Sequence, residues 1–211
     1  MAENADEKFD LSKTTNAFKE CIIDKEEKKV TMDEYIDAYS ELYKFLGMMG
    51  SVFSFVASDV NEKLKILRAF RQSDHKSHYE TVESMVQYET DSKVIKDPGN
   101  GCRTLLRLHR ALLFIMRLFE DTAKAETHDK MSHIAHTAYT DTLAHHHTWL
   151  VRKAVGLAVY TLPSRSGLLH KMGETSEDET EQKVKALVKV MREVHGRVQG
   201  VYEQNDILQL P

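Results

Sequence analysis

The sequence predicts an all-α protein made of one domain over residues 1–211. Only 3 prolines and 9 glycines occur among the 211 residues, and apolar residues recur with the period of a helix over most of the chain. No internal repeat, no alternating strand pattern and no linker that could divide two domains is visible. A chain of this length can bury a substantial core within one domain.

The helical patterns cover residues 10–24, 32–48, 50–71, 76–95, 102–125, 129–146, 148–160, 164–173 and 179–203. Several boundaries have a physical cause. Thr31 can cap the second helix, with Glu34 completing a capping box. The segment 97–101, which reads Asp-Pro-Gly-Asn-Gly, ends one helix before the next begins. Pro163 and the acidic start that follows Ser176 are both typical of helix N-termini.

Charge and composition exclude several classes of protein. The formal net charge of -4 argues against a nucleic-acid binder, whose surface is usually basic. Two cysteines, Cys21 and Cys102, are too few for a disulfide framework and indicate a cytoplasmic setting. No secretory signal precedes residue 20, and no apolar stretch is long enough to cross a bilayer. Any membrane contact is therefore expected to be transient and peripheral, and the apolar segment 207–211 is expected to pack on the body.

Three arginines lie on one line of the helix predicted at 102–125. At about 100° per residue, Arg103, Arg107 and Arg110 fall within about 40° of each other, and Phe114 continues the same line. We call these three the arginine row. Guanidinium groups are preferred partners of phosphate, so a phosphate joined to a hydrocarbon body would match this surface. The alternative is an exposed face whose arginines bind neighbouring helices or acids, and Arg117 near the same line favours that view.

Two further helices place polar residues on apolar faces. Asp59 and Lys63 fall inside the apolar arc of the helix at 50–71, and their spacing allows an ion pair. Of the three histidines at 145–147, only His147 lies on the apolar stripe of the helix that follows. Each observation also has a structural explanation, as a partly buried ion pair and as a core histidine with a satisfied hydrogen bond.

Motifs for catalysis and for metal binding are absent. The 11 histidines include no HExxH pair and no ExxH set of a di-iron bundle, and two cysteines make a zinc site improbable. The chain has no GxSxG elbow, P-loop or GxGxxG sequence. We therefore expect no enzyme activity, no metal and no cofactor.

Four segments together resemble the glycolipid transfer protein superfamily, and within it most closely the branch of ceramide-1-phosphate transfer proteins. They are Phe53–Leu64, Gly101–Leu112, His147–Ala154 and Thr161–Arg165, in an order and spacing that cover most of the chain. The resemblance implies a two-layer sandwich of about eight helices. It also implies that one sphingolipid is held with its chains in an apolar sleeve and its head group in a surface cleft.

The head-group positions implied by the resemblance are Asp59, Lys63, Arg103, Arg107, Arg110 and His147. Asp59 would accept hydrogen bonds from the sphingosine amide and hydroxyl, and His147 would donate one to the acyl carbonyl. The lysine and the arginine row would bind the phosphate. The glycolipid-binding branch carries a tryptophan at the position of Arg107, so the arginine implies a phosphate in place of a sugar. We expect the sleeve to be lined by Phe45, Val52, Phe55, Val151, Val155 and Val159.

The function expected from these features is transfer of ceramide-1-phosphate between membranes by a monomer that makes and breaks no covalent bond. Two alternatives keep the lipid ligand: a sphingolipid sensor that reports to a partner protein, and a carrier of neutral glycolipids. A helical adaptor without a ligand and a hydrolase of phosphorylated lipids are further alternatives. For the adaptor, Asp59 and Lys63 would form a purely structural ion pair, and the hydrolase lacks a nucleophile or metal signature.

Overall fold

The computed structural model describes residues 9–22, 29–50, 53–126, 128–172 and 176–211, and the predicted all-α class is confirmed for these residues. Their α-helices are α1 (Leu11–Glu20), α2 (Met32–Met48), α3 (Ser54–Gln72), α4 (Val82–Asp91), α5 (Gly101–Lys124), α6 (Met131–Thr142), α7 (Trp149–Ala158), α8 (Arg165–Lys171) and α9 (Glu177–Gln204). Short 3₁₀ helices lie at Lys76–Tyr79, Ala144–His146 and Val159–Thr161. No helix in the described part of the chain is long and apolar enough to cross a membrane.

The single helix predicted over 76–95 is wrong, because the chain breaks before Thr81. The amide of Val82 donates to the backbone oxygen of Val30 at 2.9 Å, and a backbone bridge pairs Thr31 with Thr81. The hydroxyl of Thr81 then accepts from the amide of Ser84 and caps α4. Pairing between distant segments therefore ends the first 3₁₀ turn and starts a new helix.

The capping box predicted at Thr31 is also wrong, although Thr31 is the N-cap of α2. Its side chain makes no capping bond, and its hydroxyl lies 3.4 Å from the backbone oxygen of Cys21. The helix predicted over 129–146 ends at Thr142, before a separate 3₁₀ helix, and the one predicted over 10–24 ends at Glu20. The boundaries predicted at 97–101 and at Ser176 are confirmed. Asn100 caps α5 after Gly99, whose φ of 76° lies in the left-handed region that glycine tolerates best, and Ser176 caps α9.

Helix α5 lies at the centre of the packing, in contact with α3, α4, α6 and α9. Its buried face carries large apolar side chains such as Leu105, Leu112 and Phe119. The ring of Phe119 meets that of Phe45 from α2 edge to face, with centroids 4.7 Å apart. Each buried side chain of this size contributes about 1.5–3 kcal/mol. The core therefore fixes the rotation of α5 and so the direction of its other face.

The segment 205–211 packs on the body, as predicted. Ile207 and Leu210 are buried and belong to the main hydrophobic core. The amide of Ile207 donates to the backbone oxygen of Tyr202 at 3.0 Å, after Asp206 turns the chain with a φ of 54°. The C-terminal segment is thereby brought back along α5.

Candidate functional site

Asp59 and Lys63 form the ion pair predicted on α3. Nζ of Lys63 donates to Oδ1 of Asp59 at 2.5 Å. The lysine side chain is 13% exposed, whereas that of Asp59 is 63% exposed. An exposed pair of this spacing stabilises a helix by only about 0.3–0.5 kcal/mol. The carboxylate therefore remains accessible to a further hydrogen-bond donor from outside.

His147 lies where the 3₁₀ helix Ala144–His146 ends and before Thr148 caps α7. Its Nδ1 is 2.9 Å from the hydroxyl of Tyr139 on α6. Burial lowers the pKa of His147, and the charges of Asp59 and Lys63 act on it in opposite directions. The imidazole is thus neutral at pH 7 and is close to the ion pair on α3. If the hydroxyl donates to Nδ1, Nε2 carries the proton and can act as a donor.

The arginine row binds the C-terminal segment. Arg110 donates to the backbone oxygen of Leu208 at 2.7 Å, and Arg103 to that of Pro211 at 3.1 Å. Arg107 reaches the same Pro211 oxygen at 3.5 Å, near the limit of a hydrogen bond. Arg103 also donates to the backbone oxygen of Lys96 at 2.8 Å. The alternative prediction, in which the arginines bind neighbouring helices or acids, is therefore confirmed in part. The arginines do bind neighbouring segments, but their acceptors are backbone oxygens.

The positive charge of the row is not balanced by acidic side chains among the described residues. Burial lowers the pKa of Arg110, and the neighbouring charge of Arg107 lowers it further. Arg117, which lies near the same line of α5, points its charge elsewhere and binds Asp121 at 2.6 Å. The row is therefore a local concentration of cations in a protein whose net charge is -4.

The row and the histidine segment lie next to each other. Burial lowers the pKa of His146 to about 4, and the charge of Arg110 is the next cause. One turn beyond Arg110, the ring of Phe114 meets that of Tyr139 edge to face at 6.3 Å. Since Tyr139 also contacts His147, a series of side-chain contacts connects α5, one turn beyond the arginine row, with the histidine, on which the charges of Asp59 and Lys63 also act.

The predicted sleeve residues have different surroundings. Phe45 and Val159 are buried, Val151 and Val155 are partly buried, and Phe55 is 44% exposed. Val52 lies outside the described residues. In this structure the sleeve positions are thus divided between the core, the flank of α7 and the surface, and their contact with a lipid chain stays a prediction.

Helix α7 presents apolar side chains to the surface. Three large ones on α7 and one on the 3₁₀ helix that follows it are between 65% and 77% exposed, namely Trp149, Leu150, Leu157 and Tyr160. Nζ of Lys153 lies 5.8 Å from the centre of the Trp149 ring, at cation–π distance. Only Ala158 of this helix is buried, which shows that most of the apolar face of α7 points away from the core.

Neither cysteine has the environment of a nucleophile. Cys21 and Cys102 are free and buried, and burial raises the pKa of both thiols. Across the ranges that the structure describes, no three His, Cys, Asp or Glu side chains are grouped to hold a metal ion.

Two partners of the site were missed by the sequence analysis. Tyr139 and the backbone of the C-terminal segment touch predicted site residues that are 8 and about 100 positions away in sequence. Tyr139 lies on the predicted helix at 129–146, but no local pattern indicates that its hydroxyl meets a histidine after a break in that helix.

Known proteins resemble this chain over nearly its whole length. The family model described as "Glycolipid transfer protein (GLTP)" matches residues 30–174. The mouse (Mus musculus) ceramide-1-phosphate transfer protein is 35% identical over 218 residues, which are 99% of this chain and 100% of that protein. Its crystal structure in the apo form superimposes with a TM-score of 0.92, covering 96% of this chain and 100% of that one, with 35% identity.

A second solved structure carries a ligand. Human ceramide-1-phosphate transfer protein in complex with 12:0 ceramide-1-phosphate superimposes with a TM-score of 0.91 at 31% identity. The match covers 96% of this chain and 100% of that one.

Proposed function

Because the chain belongs to the glycolipid transfer protein family, we propose that it carries ceramide-1-phosphate between membranes as a single 211-residue carrier domain. The observation that supports this most is the arginine row, whose guanidinium groups bind backbone oxygens of Leu208 and Pro211 instead of acidic side chains. A phosphate is a negatively charged partner that suits the guanidinium groups of the row. The amide and hydroxyl of a sphingoid base supply partners for the polar groups beside it.

Recognition of the phosphate is assigned to Lys63 and to the arginine row. Hydrogen bonds between guanidinium groups and phosphate are about twice as strong as those between neutral partners. A lipid phosphate is therefore able to replace the backbone oxygens of Leu208 and Pro211, which the row binds in this structure. We infer that the C-terminal segment gives way, at least in part, when the head group enters.

Recognition of the ceramide amide is assigned to Asp59 and His147. The exposed carboxylate of Asp59 accepts the amide N–H and the nearby hydroxyl, while Lys63 keeps it in place from one side. Nε2–H of His147 donates to the acyl carbonyl when the hydroxyl of Tyr139 donates to Nδ1. Asp59 and His147 thereby bind the N–H and the C=O of the same amide group.

The hydrocarbon chains are assigned to the predicted sleeve, which comprises Phe45, Val52, Phe55, Val151, Val155 and Val159. Each methylene removed from water contributes about 0.8 kcal/mol, so a long chain needs an apolar site throughout its passage. Phe45 is packed between Phe9 and Phe119 in this structure. A chain that reaches Phe45 must separate these rings, which makes the sleeve a space that opens as the lipid enters.

Transient contact with the membrane surface is assigned to the exposed face of α7. Tryptophan and tyrosine favour the interface between water and lipid, and Lys153 and Arg152 are close to Trp149 on the same helix. Such a face holds a cytoplasmic protein at the bilayer without insertion. We propose a monomer that acts without cofactor and without covalent chemistry.

The decisive experiment measures transfer of labelled ceramide-1-phosphate and of labelled galactosylceramide between vesicles. Arg107→Leu is expected to abolish selective movement of the phospholipid. Arg117→Leu is the matched control, because Arg117 lies on the same helix but binds Asp121. Movement of galactosylceramide by the wild type would place the protein with neutral glycolipid carriers. If neither lipid moves, the sensor and adaptor alternatives take precedence, and formation of a dephosphorylated product would favour the hydrolase.

A further inference from the structure

A buried carboxylate anchors the first turn of α5. The side chain of Glu89, on α4, is fully buried. Its Oε1 accepts from the amide of Gly101 at 2.6 Å and from the hydroxyl of Tyr79 at 3.1 Å, while Oε2 accepts from the amide of Cys102 at 3.0 Å. One acid thus joins α4, the preceding 3₁₀ helix and the start of α5.

With Glu89, the first four amides of α5 all have acceptors. Oδ1 of Asn100 takes the amide of Arg103 at 2.8 Å, and its backbone oxygen takes that of Thr104 at 3.1 Å. The amides of Gly101, Cys102 and Arg103 have no partner within the helix, so each must find one elsewhere, whereas that of Thr104 makes the first regular helical bond. The first turn of α5, which contains Arg103, is therefore held in place by Glu89 and by Asn100.

Glu89 also fixes the loop that receives the side chain of Arg103. Its backbone oxygen accepts from the amides of Val94 and Ile95 at 3.0 and 3.1 Å. The side-chain amide of Asn100 donates to the backbone oxygen of Val94 at 2.7 Å. The guanidinium of Arg103 in turn donates to the backbone oxygen of Lys96 in this loop. Glu89 thus holds both the helix that carries Arg103 and the loop that orients it.

The fit around the carboxylate is close. A Cβ atom added to Gly101 would lie 2.9 Å from Oε1 of Glu89 and 2.6 Å from Sδ of Met85. Only a glycine leaves space for the acid to reach the amide. A surface residue could cap this helix without removing a carboxylate from water, which is costly. The buried acid supplies a fixed distance between two helices, which an exposed cap cannot do.

We propose that Glu89 is a positioning residue for recognition of the lipid phosphate, acting through Arg103. The inference rests on the proposed function. Glu89 touches no lipid and sets the place and direction of the first guanidinium of the arginine row. Its removal is expected to weaken binding of a phosphorylated sphingolipid while leaving the amide and chain contacts intact.

The test compares a short-chain fluorescent ceramide-1-phosphate with the matching ceramide, which has no phosphate. In Glu89→Gln the side-chain NH₂ faces an amide donor, so the two amides cannot both be satisfied. We expect the affinity for ceramide-1-phosphate to fall about tenfold, while that for ceramide stays within about twofold. A general loss of stability would lower both affinities together, so the ratio of the two distinguishes positioning from folding.

Arg165→Gln is the control, because Arg165 on α8 binds the end of α5 that is far from Arg103. Arg165 is buried, donates to the backbone oxygen of Thr122 at 3.2 Å and pairs with Glu177 and Glu181. Thr122 lies about 28 Å along α5 from Arg103, at 1.5 Å per residue. We expect this variant to melt at a lower temperature with an unchanged affinity ratio.

A double-mutant cycle with Arg103→Gln decides the route of the effect. If Glu89 acts through Arg103, Glu89→Gln has little further effect on ceramide-1-phosphate binding in the Arg103→Gln background. Additive losses, or an unchanged affinity ratio in Glu89→Gln, overturn the inference.

If Glu89→Gln does not fold, Tyr79→Phe is the second variant, because it removes one donor to Oε1 of Glu89. The affinity for ceramide-1-phosphate relative to that for ceramide is then expected to fall about threefold. An unchanged ratio in that variant also overturns the inference. Failure of the wild type to bind ceramide-1-phosphate would instead refute the proposed function.

Discussion

The hydroxyl of Tyr139 lies 2.9 Å from Nδ1 of His147, across the break between α6 and α7. The ring of Tyr139 also meets Phe114, which continues the line of the arginine row on α5. One tyrosine therefore connects the helix with the cations to the histidine that is expected to read the lipid amide. When the hydroxyl donates to Nδ1, the proton of the neutral imidazole lies on Nε2.

Replacement of Tyr139 by phenylalanine is expected to reduce lipid transfer about fivefold to tenfold, because the imidazole loses the hydrogen bond that selects its tautomer. Nitrogen NMR of labelled histidine should show a mixture of tautomers in the variant and a single form in the wild type. Tyr43→Phe is the control, since Tyr43 lies on α2, outside the proposed head-group site and the exposed face of α7. Equal transfer rates for wild type and Tyr139→Phe would contradict the assigned role.

Membrane contact through α7 is tested by Leu157→Asp. Leu157 is 73% exposed, so its replacement should leave the melting temperature nearly unchanged. A charge in the apolar face is expected to lower both the fraction of protein bound to vesicles and the transfer rate, each about tenfold. Affinity for a short-chain lipid in solution should remain that of the wild type. Unchanged vesicle binding would assign the contact to another surface.

The C-terminal segment is tested by Leu210→Asp. Leu210 is buried, and a carboxylate there should release the segment and lower the free energy of unfolding by about 1–3 kcal/mol. Because the backbone oxygens of Leu208 and Pro211 then leave the arginine row, affinity for ceramide-1-phosphate is expected to rise severalfold. Titration of the lipid into both proteins measures this directly. A lower affinity would mean that the segment supports the arginines and does not compete for them.

Acid is expected to destabilise the protein through the histidines between α5 and α9. The rings of His109 and His195 stack at 4.0 Å, and burial lowers the pKa of His195 to about 3, with the charges of His109 and Arg192 adding to the effect. The unfolded chain binds a proton at His195 near its ordinary pKa of about 6.5, whereas the folded chain does not. The contribution of neutral His195 to the free energy of unfolding is therefore fully present above about pH 6.5 and is lost as the pH drops toward 3.

Chemical denaturation at a series of pH values measures this dependence. In His195→Phe the slope of unfolding free energy against pH between about 6 and 4 should decrease by up to about 1.4 kcal/mol per pH unit. Phenylalanine keeps a ring against His109 but has no proton to gain. Parallel curves for wild type and variant would show that His195 does not contribute.

The sequence predicted correctly those features that depend on neighbours along the chain. Apolar residues at helical spacing located the long helices, and the turn chemistry at Gly99 and Asn100 located the start of α5. The same periodicity placed the arginine row on one line and Asp59 beside Lys63, because residues three or four apart share a face of any helix. The error in the helix over 76–95 came from a backbone pairing with a segment 50 residues away. The error at Thr31 came from the contact of its hydroxyl with the backbone oxygen of Cys21.

Only the tertiary structure decided what these residues meet. The oxygens that bind Arg103 and Arg110 come from residues about 100 positions later, Tyr139 reaches His147 across a helix break, and Glu89 reaches the first turn of α5 from another helix. The period of a helix fixes the direction of a side chain relative to its own axis. The distance to a partner on another helix depends on how the whole core packs, and no local pattern contains that information.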